Sequence, residues 1–350
     1  MGKDEVSVKV IVDAMGGDNA PFEIVKGALD AHNELGVSIV LVGKGEEILK
    51  ALSELGYKDL PVGVEIANAS EVVLMEDDPA TVTREKSDSS MTVGLKMLKD
   101  GGADAMVSAG STGALLSGAT LIVKRIKGVR RAVLSVMLPS AGKGFLIIDC
   151  GANAECTPEY LLQFAYMGSY YMKGIMGMES PRVGLLNIGT EETKGTPLQV
   201  ETYKLLREAG LNGELNFAGN VEAREAFRDA CDVLVTDGFT GNVLLKGTEG
   251  IGLMLKGELK GIFYKNIFTK LAALSIKSGL KGLMKKFDAS DVGGTMLLGI
   301  SKPVIKAHGS SKAKDIRGAI RQAMLAHEAG VCDMIEKNVK NMKLPEKTND

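Results

Sequence analysis

The chain contains short runs of apolar residues, each of which ends in a loop of Gly, Asn, Asp and small hydroxyl residues. Seven such junctions occur, and in order they read VKVIVDAMGGDNAP, AMVSAGSTGA, FLIIDCGANAE, VGLLNIGTEETKG, LNFAGNVEARE, VLVTDGFTGN and KPVIKAHGSS. Continuous apolar runs of this length are typical of strands that are buried on both faces of a sheet. We therefore expect a largely parallel sheet whose loops gather at one edge, where open α/β sheets bind ligands.

Helical patterns lie between most of these runs, and this alternation is typical of βαβ units. The patterns predict strands at 6–12, 39–42, 106–108, 132–137, 146–148, 183–187 and 233–236, and helices at 22–35, 46–55, 89–99, 112–127, 158–173, 197–209 and 221–230. No linker or low-complexity segment separates independent domains. We therefore expect one α/β catalytic domain over residues 1–342, followed by a polar tail at 343–350 that frays.

The composition excludes several classes of protein. The 350 residues carry a formal net charge of −2 and no nucleic-acid-binding motif, so we expect no nucleic acid partner. The four cysteines form no CxxC pair, which favours a reducing, cytoplasmic environment. We find neither a signal peptide pattern nor an apolar stretch long enough to cross a bilayer, and we expect a folded protein that is neither secreted nor membrane-spanning.

The sequence does not match either of two common nucleotide-binding motifs. The stretch Gly43-Lys44-Gly45-Glu46-Glu47-Ile48 places a bulky Ile where the dinucleotide motif needs a third small residue. No P-loop sequence occurs. We therefore expect no nucleotide cofactor.

The loops instead combine backbone amides with neutral hydrogen-bond donors, which suits a bound phosphate. Three junctions carry these residues: Ser108, Ser111, Thr112 and Gly113 at the first, Thr236, Gly238, Thr240, Gly241 and Asn242 at the second, and Asn187, Thr190 and Lys194 at the third. For each loop taken alone, helix caps and turns are the favoured explanation. Their number favours a binding site.

Three aspartates in these loops, Asp13, Asp18 and Asp237, present an alternative, because carboxylates are the ligands that Mg²⁺ prefers. Aspartate at such turns more commonly accepts backbone N–H bonds. We interpret all three as loop-shaping groups and expect no metal. Asp237 is also a catalytic candidate, because it is placed to orient a neighbouring donor.

The best candidates for charged catalytic roles are Lys306 and His308. They alternate along one short extended segment, so both side chains should point the same way, and Ser310 follows as a further anion-binding donor. The hypothesis is that Lys306 neutralises phosphate while His308 binds or deprotonates it. The alternative is a surface lysine and a structural histidine.

A basic and apolar segment spans about 250–287, within a protein that is not basic overall. Four of its lysines fall along one helical stripe: Lys270, Lys277, Lys281 and Lys285. Such a pattern is typical of a helix lying in an anionic membrane surface, but it also fits a dimer interface with a solvated edge. A second basic cluster, at 124–131, is either a solvated helix end or a surface that attracts an acidic partner protein.

Several motifs together resemble the phosphate acyltransferase family of bacterial phospholipid synthesis. They span nearly the whole chain in one order and read DAMGGD from Asp13 through Gly16 and Gly17 to Asp18, SAGSTGA from Ser108, NIG from Asn187, GNVE around Asn220, TDGFTGN from Thr236 to Asn242, GG at Gly293 and Gly294, and KAHGS from Lys306 to Ser310. Two positions depart from the usual family pattern, with Ser111 in place of Asn and Ala223 in place of Gly.

The resemblance implies transfer of a long-chain fatty acyl group from acyl carrier protein to inorganic phosphate, which gives an acyl phosphate. It also implies a three-layer αβα sandwich similar to isocitrate and isopropylmalate dehydrogenases, with a protruding amphipathic helical hairpin, and a homodimer at the inner face of the membrane. A membrane acyltransferase that uses acyl phosphate would be a further partner. The phosphate and donor sites implied are the loop residues named above, including Gly294, Asn220 and Ser310.

Two other functions remain open from the residues alone. A metal-dependent 2-hydroxyacid dehydrogenase that uses NAD or NADP would share this fold. A non-catalytic membrane adaptor would explain the lysine-rich segment but would leave the polar loops without a role. Fold alone does not distinguish these functions.

Overall fold

The computed structural model describes residues 7–266, 268–270, 279 and 293–342. Within these residues, eleven strands form a single sheet in the order β3-β2-β1-β4-β11-β10-β5-β6-β9-β7-β8. The strands are β1 (Lys9–Asp13), β2 (Ser38–Gly43), β3 (Val64–Asn68), β4 (Ala105–Ser108), β5 (Val133–Leu138), β6 (Phe145–Ile148), β7 (Arg182–Leu186), β8 (Asn216–Val221), β9 (Val233–Val235), β10 (Thr295–Leu298) and β11 (Val304–Lys306). The predicted α/β class with a large, mostly parallel sheet is confirmed.

Helices connect these strands and cover both faces of the sheet. They are α1 (Phe22–Leu35), α2 (Gly45–Glu54), α3 (Val82–Glu85), α4 (Ser90–Lys99), α5 (Thr112–Gly118), α6 (Pro158–Met176), α7 (Pro197–Leu211), α8 (Ala223–Ala226), α9 (Gly238–Phe263), α10 (Ala313–Glu328) and α11 (Val331–Lys337). A π-helical turn at Ala119–Val123 extends α5, and a 3₁₀ turn at Val339–Met342 follows α11.

The sheet reverses direction in its middle, which the sequence pattern did not indicate. Seven of the ten described strand pairings are parallel. The three antiparallel pairings, β11–β10, β10–β5 and β5–β6, follow one another across the sheet. Because three reversals leave β6, β9, β7 and β8 opposite in direction to β1, β4 and β11, the expectation that all loops gather at one edge is wrong.

Two apolar cores lie on the two faces of the sheet. Val10 and Val12 of β1 contribute to one core together with Ile24 of α1, while Ile11 points to the other face with Leu95 of α4. This alternation is the two-residue period of a strand, so both faces of β1 must be apolar. It explains why the strands read as continuous apolar runs.

Two predicted helices are shorter than expected. The predicted helix at 221–230 is reduced to α8, because Val221 still belongs to β8 and pairs with Leu186. Asp229 then adopts a positive φ of 76°. The predicted helix at 112–127 ends in the π-helical turn, after which Lys124 also has a φ of 76°. Left-handed backbone at these positions ends regular helix.

Helix α9 leaves the body of the protein after its first two turns. Its buried residues are Gly238, Gly241 and Leu245, and its distal part is mostly exposed, including the apolar residues Ile251, Leu253, Met254, Leu255 and Ile262. Most of the lysine-rich segment beyond it lies outside the described residues. Among the helices that the structure describes, none is long and apolar enough to cross a membrane.

Candidate active site

The loops that follow β1, β4 and β11 converge at one edge of the sheet, which we call the first edge. Ser108 pairs with Lys306 across β4 and β11, and Asp13 ends the adjacent strand β1. The Ser108 hydroxyl donates a hydrogen bond of 2.7 Å to Oδ2 of Asp13. Three sequence-predicted residues from distant parts of the chain are therefore brought together.

The Asp13 carboxyl group is almost completely enclosed, with 1% of the residue exposed. It accepts hydrogen bonds from the hydroxyls of Ser90 and Ser108 and from the backbone N–H groups of Met15 and Gly16. Burial raises the pKa of Asp13 because it disfavours the charged form, and these donors oppose the shift. Ser90, the first residue of α4, was not predicted; its contact with Asp13 forms only in the folded chain.

Lys306 is the buried cation of the first edge, with 8% of the residue exposed. Its ammonium group donates to the carbonyl oxygens of Ala109 and Ala307. Burial lowers the pKa of Lys306 to about 8, against the opposing effect of Asp13 and Asp18. A buried cation that donates only to neutral carbonyls gains from any anion that binds beside it.

The glycines of the first loop allow close backbone contact between the three junctions. A side chain at Gly16 would place its Cβ 2.6 Å from Oδ2 of Asp13 and 2.7 Å from the Gly110 nitrogen. Gly17 has a φ of +101°, and a Cβ there would lie 2.9 Å from the Gly309 carbonyl oxygen. The N–H of Asp18 donates to that same carbonyl oxygen at 2.8 Å. The first loop is thereby fixed against the loop after β11.

Gly294 belongs to the same edge, where a Cβ would lie 2.5 Å from the Lys306 carbonyl oxygen. Its N–H donates to Oε1 of Gln322 at 2.7 Å. Gly294 therefore packs directly against the backbone of Lys306. This contact gives it a structural role in placing that residue.

His308 is exposed, whereas Lys306 is buried, because the chain leaves β11 at residue 306. The N–H of Ser310 donates to Nδ1 of His308 at 3.2 Å, and the Ser310 hydroxyl lies 2.9 Å from the same nitrogen. Since a backbone N–H can only donate, Nδ1 acts as an acceptor. A neutral ring then carries its proton on Nε2, which can donate to an anion.

The SAGSTGA junction caps a helix. Ser111 is the N-cap of α5, and its hydroxyl accepts from the N–H of Ala114 at 3.5 Å. Thr112 is exposed, and a Cβ at Gly113 would lie 2.8 Å from Cγ of Pro79. The capping interpretation accounts for Ser111, and the exposed Thr112 hydroxyl is available to a ligand.

The carboxyl ends of β6, β9, β7 and β8 form the second edge. Its central residue, Asp149, was missed, although like Asp13 it stands at the carboxyl end of a buried strand. Asp149 is fully buried and accepts four hydrogen bonds of 2.7 to 3.2 Å from three neighbours: Leu134, Ala152 and Asn153. Burial raises the pKa of Asp149, and these donors oppose the shift.

Asp237 caps helix α9. Its Oδ1 accepts from the N–H of Thr240 and its Oδ2 accepts from the Thr240 hydroxyl, both at 2.8 Å. These contacts are the ones expected of a loop-shaping aspartate. Thr236 is buried and pairs through its backbone with residues 148 and 149 of the neighbouring strand end.

The start of α9 packs tightly on Asp149. A Cβ at Gly241 would lie 1.9 Å from the Asp149 carbonyl oxygen, and one at Gly238 would lie 2.6 Å from the Asn153 carbonyl oxygen. Both positions therefore require glycine for close approach. Asn242 is exposed and lies beside Gly151, so its amide faces solvent at the second edge.

Two buried asparagines hold the exposed loop 188–196 at the same edge. Nδ2 of Asn187 donates to the Lys194 carbonyl oxygen at 3.0 Å, and Nδ2 of Asn220 donates to the Glu191 carbonyl oxygen at 2.8 Å. The side chain of Lys194 is exposed. Oδ1 of Asn220 is buried and has no hydrogen-bond partner among the described atoms. The loop is thus held at two points, one of which retains a spare acceptor.

Helix α9 links the two edges electrostatically. It begins at the second edge with its Asp237 cap, and the charge of Lys246 contributes to the low pKa of Lys306 at the first edge. Lys246 also forms an ion pair of 2.8 Å with Glu249. The first turns of α9 therefore lie near both groups of predicted residues.

Three further observations concern the cysteines, metal binding and the membrane-surface lysines. Burial raises the pKa of all four cysteine thiols, for Cys156 to about 12, which disfavours a thiolate nucleophile. No group of three His, Cys, Asp or Glu side chains suited to a metal ion occurs in the described part of the chain. Of the predicted membrane-surface lysines, Lys270 is exposed and its Nζ lies 5.7 Å from the centre of the Tyr264 ring, whereas Lys277, Lys281 and Lys285 lie outside the described residues.

The chain is similar in sequence to known enzymes over nearly its whole length. Residues 8–334 match the family model described as fatty acid synthesis protein. A phosphate acyltransferase of Desulfitobacterium hafniense is 46% identical over 95% of this chain and 98% of its own length. A phosphate acyltransferase of Alkaliphilus oremlandii is 44% identical over 96% of this chain and 98% of its own.

Solved structures show the same fold at low sequence identity. A phosphotransacetylase from Streptococcus pyogenes aligns with a TM-score of 0.65 and 20% identity, over 93% of this chain and 94% of that one. This likeness concerns the fold alone, whereas the sequence matches cover almost the entire chain at over 40% identity. The chain therefore belongs to the fatty acid synthesis protein family that includes the phosphate acyltransferases, and it is an acyltransferase.

Proposed function

We propose that the protein transfers a long-chain fatty acyl group from acyl carrier protein to inorganic phosphate. The observation that carries this proposal is Lys306, a buried cation that is 8% exposed and hydrogen-bonds only to carbonyl oxygens in the described structure. Phosphate beside Lys306 would compensate the cost of burying the ammonium group. The N–H of Gly17 lies in the same cluster of loops and supplies a further donor, whereas the Ser108 hydroxyl and the Gly16 N–H already donate to Asp13.

The reaction needs no protein nucleophile. A phosphate oxygen attacks the thioester carbonyl carbon, a C–O bond forms, the C–S bond breaks, and the sulfur leaves as a thiolate. Because a thiol has a pKa of about 8.5, the leaving group needs little help from a general acid. Lys306 holds phosphate in position and offsets its charge, while Nε2–H of His308 donates to a phosphate oxygen. Positioning and electrostatics then supply most of the rate.

The second edge receives the acyl donor in this proposal. The exposed side chains of Lys194 and Asn242 lie at this edge, and α9 begins here with the positive end of its dipole, which favours negative charge. These donors suit the oxyanion that develops on the thioester carbonyl. Asp237 orients Thr240, and Asp149 fixes the turn on which α9 rests.

The distal part of α9 supports a peripheral membrane role. Its exposed apolar side chains and Lys270 fit insertion into an anionic lipid surface at the cytoplasmic side, close to a membrane acyltransferase that consumes acyl phosphate. We propose that the chain acts as a homodimer, while the predicted helical hairpin at 250–287 lies partly outside the described residues. The isocitrate dehydrogenase-like αβα sandwich belongs to the same proposal. Membership of the acyltransferase family argues against the dehydrogenase and adaptor alternatives.

The direct test uses palmitoyl acyl carrier protein as donor. We expect free carrier thiol and a hydroxylamine-trapped palmitoyl product to appear only when enzyme and phosphate are both present. Identification of the hydroxamate by mass would establish transfer to phosphate. Release of thiol without phosphate would indicate a thioesterase and contradict the proposal. Absence of release from every acyl donor tested would do the same.

A further inference from the structure

The segment 124–131, which we call the basic loop, precedes β5. Four of its basic side chains are exposed and the fifth, Arg125, is half-buried. Its apolar residues Ile126 and Val129 point inward and are 3% and 5% exposed. The loop thus presents charge without exposed apolar side chains, and its basic residues are Lys124, Arg125, Lys127, Arg130 and Arg131.

The guanidinium groups of the basic loop are held in place by neighbours. Arg131 lies over the Tyr160 ring, 5.0 Å from its centre, and Nε of Arg130 lies 3.3 Å from Oε1 of Glu159. Arg125 donates to the Arg130 carbonyl oxygen. Within the described residues, Glu159 is the one carboxylate that forms an ion pair with the loop. Held side chains lose less conformational entropy when a partner binds.

The basic loop borders the second edge. Nδ2 of Asn153, whose N–H binds Asp149, donates to the Ala132 carbonyl oxygen directly after the loop at 2.9 Å. The charges of Arg131 and Asp237 both act on Cys156, so the loop lies near the cap of α9. A protein seated on the basic loop would therefore stand next to the proposed entrance for the acyl donor.

We propose that the basic loop is the docking surface for the acidic face of acyl carrier protein, so that the acyl-bearing arm of the carrier enters at the second edge. This inference rests on the proposed function and names the surface that recognises its donor. Clustered positive charge attracts an acidic partner and speeds productive encounter. A membrane surface fits less well, because interfacial binding also needs exposed apolar side chains, which α9 offers and the basic loop lacks.

The test is the double variant Lys124→Glu/Lys127→Glu, since neither lysine forms an ion pair within the described structure. The matched control is Lys50→Glu/Lys58→Glu, which reverses two exposed lysines on and just after α2, near the far end of the sheet. Two donors are compared, palmitoyl acyl carrier protein and palmitoyl-pantetheine. We expect KM for the carrier to rise about tenfold or more in the double variant, with a weaker salt dependence and no change for palmitoyl-pantetheine or in the control.

Three results would overturn the docking surface. They are an unchanged KM for the carrier, an equal loss with both donors, and a loss of flotation with phosphatidylglycerol vesicles while the carrier KM stays constant. The last of these would assign the loop to the membrane. Normal turnover of palmitoyl-pantetheine with an unchanged carrier KM removes the docking surface alone. If the unaltered enzyme releases no thiol from either donor in the presence of phosphate, the proposed function itself fails.

Discussion

The two edges of the sheet place the same side chain in different surroundings. Asp13 at the first edge is the last residue of a buried strand, Asp149 at the second directly follows one, and burial raises the pKa of both. Both accept four hydrogen bonds. The negative charge of Asp13, however, raises the pKa of the nearby Lys306. Asp149 is instead surrounded by neutral N–H donors and the first turn of α9. The two aspartates therefore share burial and hydrogen bonding, and the neighbouring cation is what distinguishes the first edge from the second.

The largest effect is expected from Lys306→Met. Removing the cation should lower kcat/KM for phosphate about 100-fold or more, which is typical of losing one preorganised charge-stabilising group. The matched control is Lys302→Met. Lys302 lies just before β11, and its Nζ also donates to a carbonyl oxygen, that of Ala103. Steady-state kinetics with phosphate varied would measure both variants. Equal losses of kcat/KM in the two variants would show that the effect is not specific to Lys306.

The same substitution should stabilise the fold. The pKa of Lys306 is lowered from 10.5 to about 8, so at pH 7 the buried charge costs about 3 kcal/mol. Between pH 8 and 10.5 the unfolded chain binds more protons, and the stability of the unaltered protein should rise with pH. Lys306→Met should unfold at a higher temperature at pH 7 and lose this rise. A lower unfolding temperature would contradict the burial cost.

The next largest effect is on the pH dependence of activity, which should respond to substitutions at the first edge and not at the second. Because Lys306 is protonated below a pKa of about 8, kcat/KM for phosphate should fall up to tenfold per pH unit above that value. Lys306→Arg should remove this alkaline fall, since arginine stays charged. Asp13→Asn should move the fall to lower pH because it removes a charge that raises the pKa of Lys306. Asp149→Asn is the matched control and should leave the profile in place.

At the second edge the expected loss is in stability. Asp149→Asn replaces one carboxylate oxygen with a donor that faces the N–H groups of neighbours such as Leu134 and Asn153. We expect the free energy of unfolding to fall by about 2 kcal/mol, as for a broken buried hydrogen bond. Urea denaturation would measure this change. Retained kcat per folded molecule is expected, and a selective loss of kcat would give Asp149 a chemical role.

A smaller effect is expected from His308. Loss of one exposed donor in His308→Ala should lower kcat/KM for phosphate about tenfold. His308→Gln retains an N–H donor and should recover part of the activity, which a structural role would not explain. Ser310→Ala removes the hydroxyl beside Nδ1 and serves as the comparison. Unchanged turnover in His308→Ala would remove this residue from the mechanism.

The smallest effect concerns the loop 188–196. Asn220→Ala frees the Glu191 carbonyl oxygen and one of the two attachments of the loop, so KM for the acyl donor should rise about threefold. Backbone hydrogen exchange in the loop should become faster. The control is Asn216→Ala, which is also in β8 but donates to the Ser180 carbonyl oxygen at an exposed position. Equal exchange rates in both variants would contradict the two-point attachment.

Sequence patterns identified most strands because buried strands need apolar side chains on both faces, as Val10, Ile11 and Val12 illustrate. The reversal of direction was missed, although only a short loop separates β5 from β6. Parallel strands need a crossover of a dozen or more residues, so this short connection already requires an antiparallel pair. Asp149 could have been found by treating every strand-end aspartate alike. The burial of Lys306 could not have been predicted from the sequence, since it depends on loops from three distant segments.

Chain order has a consequence for synthesis of the enzyme. The first loop and the loop after β11 are joined across 291 residues, where Asn19 donates to the Ser310 carbonyl oxygen. Strand β11 must insert beside β4, whose partner β1 left the ribosome long before. Contacts this distant in sequence form late and slowly during folding. A polypeptide that has not yet reached residue 306 therefore lacks Lys306, and the proposed phosphate site forms only after β11 has been synthesised.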